Sequence, residues 1–248
     1  MSGHSKWASI KHKKAAADAQ RGKIFTKVIR ELTQAAREGG GNPEANPHLR
    51  TVLEKAKEAN MPKENITTAI KRGTGELPGI TYESVTYEGY GPGGVAVLVQ
   101  VLTDNKNRAA AEIRNIFSKR SGNLGAPGSV SWMFHQKGLI LVDKKVNEDE
   151  LMTLVLESGA EDFKNDDSEN YEITTAPSDF EKVRQVLTTK GIQPKHAELT
   201  FIPSNTIKVD GNAARQALTL VQALEEHDDV QNVYANFDIP EEILKQEE

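Results

Sequence analysis

Around Pro78-Gly79 the hydrophobic period of this chain changes from 3.6 residues to 2, which limits what each side can become. Before the change, apolar residues recur at i, i+3, i+4 and i+7. After it they alternate or run continuously. The first part is therefore expected to be helices packed on helices, and the second to be sheets covered by helices.

From Lys23 the first helical stretch sets Ile24, Phe25, Val28, Ile29, Leu32, Ala35 and Ala36 on one side. Lys23, Lys27, Arg30, Gln34 and Arg37 recur on the other at alternating steps of four and three. Gly39-Gly40-Gly41 ends this helix. Asn46 then Pro47 reads as the N-cap and first residue of a second helix carrying Leu49, Val52, Leu53 and Ala56. Pro62 stops it and opens a third, in which Ile66, Ala69 and Ile70 face inward and Gly73 closes.

Beyond the joint, Val85 and Tyr87 belong to a first strand and Gly91-Pro92-Gly93-Gly94 turns the chain. Residues 95–102 are apolar on both faces, as a central strand must be. Thr103-Asp104-Asn105 caps a helix packed through Ala109, Ala110, Ile113, Ile116 and Phe117. Residues 121–128 read as a flexible loop whose one apolar anchor is Leu124, running into a short strand at 130–134. From Gly138 the order is strand 139–142, helix 148–157, a strand near Phe163, strand 171–175, helix 178–190 and strand 197–202. This is βαββαβ, the ferredoxin-like order. A helix at 213–225 and a strand at 230–237 have no local sheet to join, so they are expected to complete the unit begun at Tyr82. The reading is an α+β protein of three domains. Residues 1–77 form a basic helical domain, 78–134 with 204–248 a split α+β domain, and 135–203 an inserted ferredoxin-like domain.

Charge is segregated along the same chain. The first 37 residues hold nine Lys or Arg against Asp18 and Glu31, a local charge of +7. The whole sums to -5, which leaves -12 for residues 38–248. A basic block on an acidic protein is the footprint of a surface that meets phosphate. Lys6, Trp7, Lys11, His12, Lys13, Lys14, Arg21, Lys23, Lys27, Arg30 and Arg37 are the candidate nucleic-acid-binding residues, supplying cations and flat groups that stack on bases. The bland alternative is a solvated helix face, but such a face intersperses Glu with Lys, and this stripe carries no acid of its own. A membrane-surface helix is disfavoured because the apolar side ends in Ala35 and Ala36 and is needed for a core. Arg108, Arg114, Lys119 and Arg120, with Asn123 and Leu124 of the loop, form a weaker second candidate, and for those four cations the solvated reading is the stronger.

Hydrophobic content of 37% and charged content of 27% fit a globular protein with no membrane partner. The amino terminus lacks the apolar region of a secretory signal, and there is no cysteine, so a reducing, cytoplasmic setting is expected. Gly89-Tyr90-Gly91-Pro92-Gly93-Gly94 matches G-x-G-x-x-G, but strand-type residues follow it where a dinucleotide site needs a helix. No phosphate loop, hydrolase elbow or zincin motif occurs. The six histidines have no ligand-spaced neighbour of their own kind, and the acidic run 161–169 lacks the spacing of a calcium loop, so no metal or other cofactor is expected. Nothing points to a small-molecule substrate or to catalysis.

Five stretches carry a resemblance: Gly3-His4-Ser5-Lys6-Trp7, Ile10-Lys11-His12-Lys13-Lys14, Arg21-Gly22-Lys23-Ile24-Phe25-Thr26-Lys27, Tyr87-Glu88-Gly89-Tyr90-Gly91-Pro92-Gly93-Gly94 and Gly122-Asn123-Leu124-Gly125. Together they are similar to the YebC/PmpR family over essentially the whole chain. The resemblance implies a helical domain and two α+β domains bearing a cleft and a large acidic surface. It also implies a DNA-binding transcriptional regulator. Relatives that include a mitochondrial translational activator imply a second reading, a ribosome-associated factor that binds ribosomal RNA and assists synthesis of difficult stretches such as polyproline. A third reading, from charge alone, is a protein partner on the acidic surface.

Overall fold

A computed structural model of the protein describes residues 18–167, 169–240 and 243. Helices α1 (Asp18–Gly39), α2 (Pro47–Glu58) and α3 (Lys63–Gly73) pack around Val28, Leu32, Leu49, Val52, Ala56, Met61 and Ala69. Asn46 caps α2 as its spacing predicts, accepting the Leu49 N–H at 3.0 Å. Its amide also donates to the carbonyls of Ala35 and Gly40, each at 2.8 Å, so one buried side chain closes the end of α1 as well.

Gly73 does more than stop a helix. Its φ is not positive, and a Cβ there would lie 2.4 Å from the Thr33 carbonyl oxygen and 2.7 Å from Ala36 Cβ. The absence of a side chain lets α3 approach α1. Gly73→Ala is therefore expected to destabilise the protein by about 1–3 kcal/mol, the usual cost of overpacking. Urea denaturation checks this; an unchanged midpoint would mean that the helices part freely.

The rest of the chain runs β1 (Glu83–Tyr90), β2 (Ala96–Thr103), α4 (Lys106–Lys119), β3 (Asn123–Leu124), β4 (Phe134–Asp143), α5 (Glu148–Ser158), β5 (Ala160–Lys164), β6 (Asn170–Thr175), α6 (Phe180–Thr189), β7 (His196–Pro203), β8 (Ile207–Lys208), α7 (Gly211–Glu225), β9 (Val230–Ala235) and β10 (Phe237–Asp238). One sheet has the order β3-β1-β2-β9, so a strand from near the carboxyl end pairs with the central β2. A second has the order β5-β6-β4-β7, all antiparallel, which is the ferredoxin-like arrangement. A short parallel pair joins β8 to β10.

Strand β2 shows why its run is apolar on both faces. Val97, Val99 and Val101 enter a core with Ile113 and Phe117 of α4 and Leu218, Val221 and Leu224 of α7. Ala96 and Leu98 point the other way, onto Val130, Met133, Phe134 and Tyr234, with Phe201 of β7 alongside. That second, smaller cluster joins the two sheets, and the Phe201 and Tyr234 rings lie 5.2 Å apart within it. Gly93 and Gly94 take positive φ in the hairpin turn between β1 and β2, so the G-x-G-x-x-G match is a turn.

Two expected strands differ. Residues 131–133 form a 3-10 turn, and pairing begins only at Phe134. The strand expected at 230–237 breaks at Asn236, whose buried side chain accepts the Ala96 N–H at 2.8 Å. Its carbonyl instead accepts the Ile207 N–H, which starts the β8–β10 pair.

Candidate nucleic-acid interface

The cationic stripe of α1 does not face open solvent along its length. It follows the seam between the helices and the first sheet. Lys27 Nζ donates to the carbonyl of Glu225 at 2.7 Å, at the carboxyl end of α7, where unpaired carbonyls and the helix dipole favour a cation. Arg30 donates to the carboxylate of Asp229 and to the carbonyl of Asp228 at 2.9 Å, and its guanidinium sits 5.6 Å from the Tyr82 ring centroid. Arg37 reaches the Thr81 hydroxyl at 2.5 Å. Lys27 and Arg30 are half-buried in these contacts, while Lys23 and Arg37 remain exposed. An amphipathic pattern separates two faces of a helix; it does not reveal that the second face also meets a partner.

Asp229 organises the seam. Its side chain is 4% exposed, and it accepts from Thr103 Oγ1 at 2.6 Å, from Arg108 Nη2 at 2.8 Å and from Arg30. Burial alone pushes this carboxyl up, but bonds from Thr103, Arg108 and Arg30 outweigh it and hold the pKa at about 2. Asp229 and Asp104, at 2.8 and 2.7 Å, in turn hold the Arg108 guanidinium well above its ordinary value. His227 completes the group: its Nδ1 accepts the Asp229 N–H at 3.1 Å and its Nε2 lies 2.8 Å from Glu112. Beside them is an open cleft of about 660 Å³, lined by Lys23, Arg30 and Arg108 against Glu112, Glu226, Asp228 and Asp229, with His227. Three cations facing four carboxylates do not make an anion pocket. Asp229 had no sequence signal, because it sits in a turn and its partners are 121 to 199 residues away.

The glycine-rich loop is anchored from a direction the sequence does not suggest. Glu88 of β1 is buried, and its carboxylate accepts the N–H groups of Gly128, Val130 and Ser131, each at 2.7 Å. Burial pushes its carboxyl up, and these backbone bonds outweigh that and hold it below the usual carboxylate range. Asn123 lies opposite Tyr90 in β3 and is exposed, while Leu124 packs onto the main core. Arg114, Lys119 and Arg120 are exposed. Beyond the loop, Trp132 is 65% exposed and Tyr90 40%.

Lys23 is exposed at the cleft. Arg21 lies in α1, with its side chain outside the description, and Lys6, Trp7, Lys11, His12, Lys13 and Lys14 lie outside the described residues. No described helix is long and apolar enough to cross a membrane.

A helical layer docked by arginines onto a sheet domain, itself joined to a ferredoxin-like unit, defines a three-domain α+β protein with a basic amino-terminal segment. The chain belongs to the TACO1/YebC family. The family model described as the TACO1/YebC protein N-terminal domain matches residues 5–76, and that described as the TACO1/YebC second and third domain matches residues 82–237. It is similar to probable transcriptional regulatory proteins of Dictyoglomus turgidum, 58% identical over 99% of both chains, and of Natranaerobius thermophilus, 56% identical over 99% of both. A crystal structure of a conserved hypothetical protein from Aquifex aeolicus superposes with a TM-score of 0.84 at 52% identity, covering 96% of this chain and 99% of that one.

Proposed function

We propose that this protein is a non-enzymatic, DNA-binding regulator of transcription that meets the phosphate backbone through its amino-terminal basic segment. The observation that carries the reading is the +7 charge of the first 37 residues on a chain whose remainder carries -12. The acidic remainder repels a polyanion and leaves one end attractive, so association is steered. The names of the relatives support the same reading. With Lys27 and Arg30 engaged at the seam, the phosphate contacts fall to Lys6, Lys11, Lys13, Lys14, Arg21, Lys23 and the exposed Arg37, with Trp7 and His12 beside them.

Neutralising about 6 phosphates gives a slope of log K against log salt near -5 on duplex DNA. Replacing Lys11, Lys13 and Lys14 together by Ala is expected to reduce that slope to roughly -3, about 0.9 per cation lost. Titrations at several salt concentrations read it directly, and an unchanged slope moves the site elsewhere. Phosphate contacts alone carry no sequence information, so a regulator must also prefer its site by about 10³ or more through base contacts or DNA shape.

A second reading is a ribosome-associated factor whose basic segment meets ribosomal RNA. The exposed rings of Tyr90 and Trp132 favour it, because sequence-tolerant RNA recognition works by stacking unpaired bases. Discrete promoter peaks in genome-wide crosslinking support the first reading. Co-sedimentation with ribosomes at near-physiological salt, without DNA enrichment, supports the second.

A further inference from the structure

The seam between the helices and the first sheet is built differently from either side of it. The buried apolar cluster of the helices and that of the first sheet share no residue, and no buried apolar cluster spans the seam among the described residues. Lys27, on the Glu225 carbonyl, and Arg30, on Asp229 and the Asp228 carbonyl, cross it instead. Arg184 of α6 also meets Glu54 of α2 at 3.5 Å, tying the helices to the ferredoxin-like unit, but both side chains are exposed and such a pair contributes little. An apolar core comes apart only at the cost of exposing it to water, whereas contacts of this kind can be exchanged for equivalent ones with another anion. The connection permits that exchange. Residues 74–82 carry no helix or strand, and 74–81 are exposed, the usual make-up of a joint across which domains move.

The two cations held at the seam stand in line with two that are not. Lys23 and Arg37 are exposed, while Lys27 and Arg30 between them are half-buried. From Lys23 to Arg37 the stripe runs about 21 Å along the helix axis. A duplex carries one charge per about 1.7 Å of its own axis, so it can meet a stripe of that length throughout. With the helices docked it meets only the ends. Asp229 presents to Arg30 what a phosphate would, since a guanidinium bonds carboxylate and phosphate oxygens in the same geometry. Lys23 and Arg30 both line the open cleft, so Arg30 lies within the same recess as the exposed Lys23 that a phosphate would meet first.

We propose that the docked seam is an autoinhibitory contact, in which Asp229 and the carboxyl end of α7 occupy Arg30 and Lys27, and that the phosphate backbone of a nucleic acid displaces them and swings the helices off the first sheet. The inference rests on the nucleic-acid reading above and adds its regulation. Apparent affinity is then reduced by the small fraction of molecules that are open. A polymer already held at Lys23 and Arg37 can offset the contacts it breaks; a lone anion cannot.

The experiment uses the full-length protein. The chain has no cysteine, so dyes can be placed at Thr51→Cys and Ser118→Cys, and in a second sample at Thr67→Cys and Ser118→Cys, all exposed positions on either side of the seam. Energy transfer is expected to change in at least one pair when a mixed-sequence DNA duplex of about 25 base pairs, or the RNA duplex of the same sequence, is added. Opening by RNA alone assigns the ligand to RNA. Inorganic phosphate at the same ionic strength is expected to leave transfer unchanged; opening by it would make the effect one of salt and overturn the proposal. Asp229→Asn, which keeps the size and one accepting oxygen, should open the seam without ligand and bind duplex about tenfold more tightly. Arg30→Gln should open it as well, yet bind no more tightly than wild type, because it removes a cation that phosphate would take. Glu226→Gln removes a charge from the same cleft without touching Arg30 or Lys27 and should change little. Equal tightening by Glu226→Gln and Asp229→Asn would mean that the acids merely repel the duplex, and tightening by Arg30→Gln would mean that phosphate never takes Arg30; either overturns the contact. If Asp229→Asn fails to fold, the labelled wild-type chain still decides. Duplex binding with unchanged transfer in both pairs overturns the autoinhibitory contact and leaves the phosphate reading intact. Failure to bind either duplex overturns both.

Discussion

Glu88→Ala is expected to lower stability by about 3 kcal/mol and to loosen residues 125–132. The carboxylate accepts three backbone N–H groups at 2.7 Å, and its removal leaves those donors in a partly closed site without an acceptor. Each charge-assisted bond of this kind contributes about 1.5–3 kcal/mol, and water that enters the vacated space recovers part of the loss. Glu88→Gln should fall between, since its amide keeps one accepting oxygen and turns an NH₂ toward donors. Hydrogen exchange at Gly128, Val130 and Ser131 reads the local effect and urea denaturation the global one. The pH dependence has a definite sign. The folded carboxyl titrates below its ordinary value of about 4.5, so its contribution is present above that pH and is lost as pH falls through the folded value. Unchanged exchange at the three amides in Glu88→Ala would mean that the loop is held by something else.

Asp229→Ala is expected to release the helices from the first sheet. It removes the shared acceptor of Arg30, Arg108 and Thr103 and leaves Arg30, whose side chain is 16% exposed, as a partly buried charge with only carbonyls to satisfy it. Breaking a buried pair from one side costs about 3–5 kcal/mol, and because Arg108 is already 42% exposed the lower end is expected here. Protonation does the same job more gently. With the folded carboxyl at about 2 and an ordinary value of 3.8, ionisation of Asp229 contributes about 2 kcal/mol above pH 4, and that contribution disappears as pH falls from 4 towards 2. The check is a pH series of thermal melts on wild type and Asp229→Asn: the difference between them should shrink through that window. Small-angle scattering of Asp229→Ala near neutral pH should show a larger radius if the helical part swings away. A melt and radius equal to wild type would place the docking energy in other contacts.

The period of the apolar residues determined the element types along most of this chain. It placed α1 to α3, the hairpin of β1 and β2, and the βαββαβ order that folds as β5-β6-β4-β7, because burying one face of a helix or both faces of a strand leaves a local mark on sequence. Asn46, and the stretch Thr103-Asp104-Asn105 of which Asn105 is the cap, were legible for a similar reason, since an N-cap satisfies N–H groups two or three residues away. Charge counting likewise needs no structure, and the basic segment stood out at once. What side chains do across long separations leaves no such mark. The same cations that read as a phosphate-binding stripe are held by Glu225, Asp228 and Asp229, almost 200 residues on. Glu88 lies in a strand between a tyrosine and a glycine, and only its placement beneath residues 128–131 makes it the anchor of a loop. Asn236 broke a strand by replacing a ladder bond with its own side chain. In each case a polar group is satisfied by a partner that only tertiary folding brings near. The cost of burying it unsatisfied makes that partner decisive for the structure.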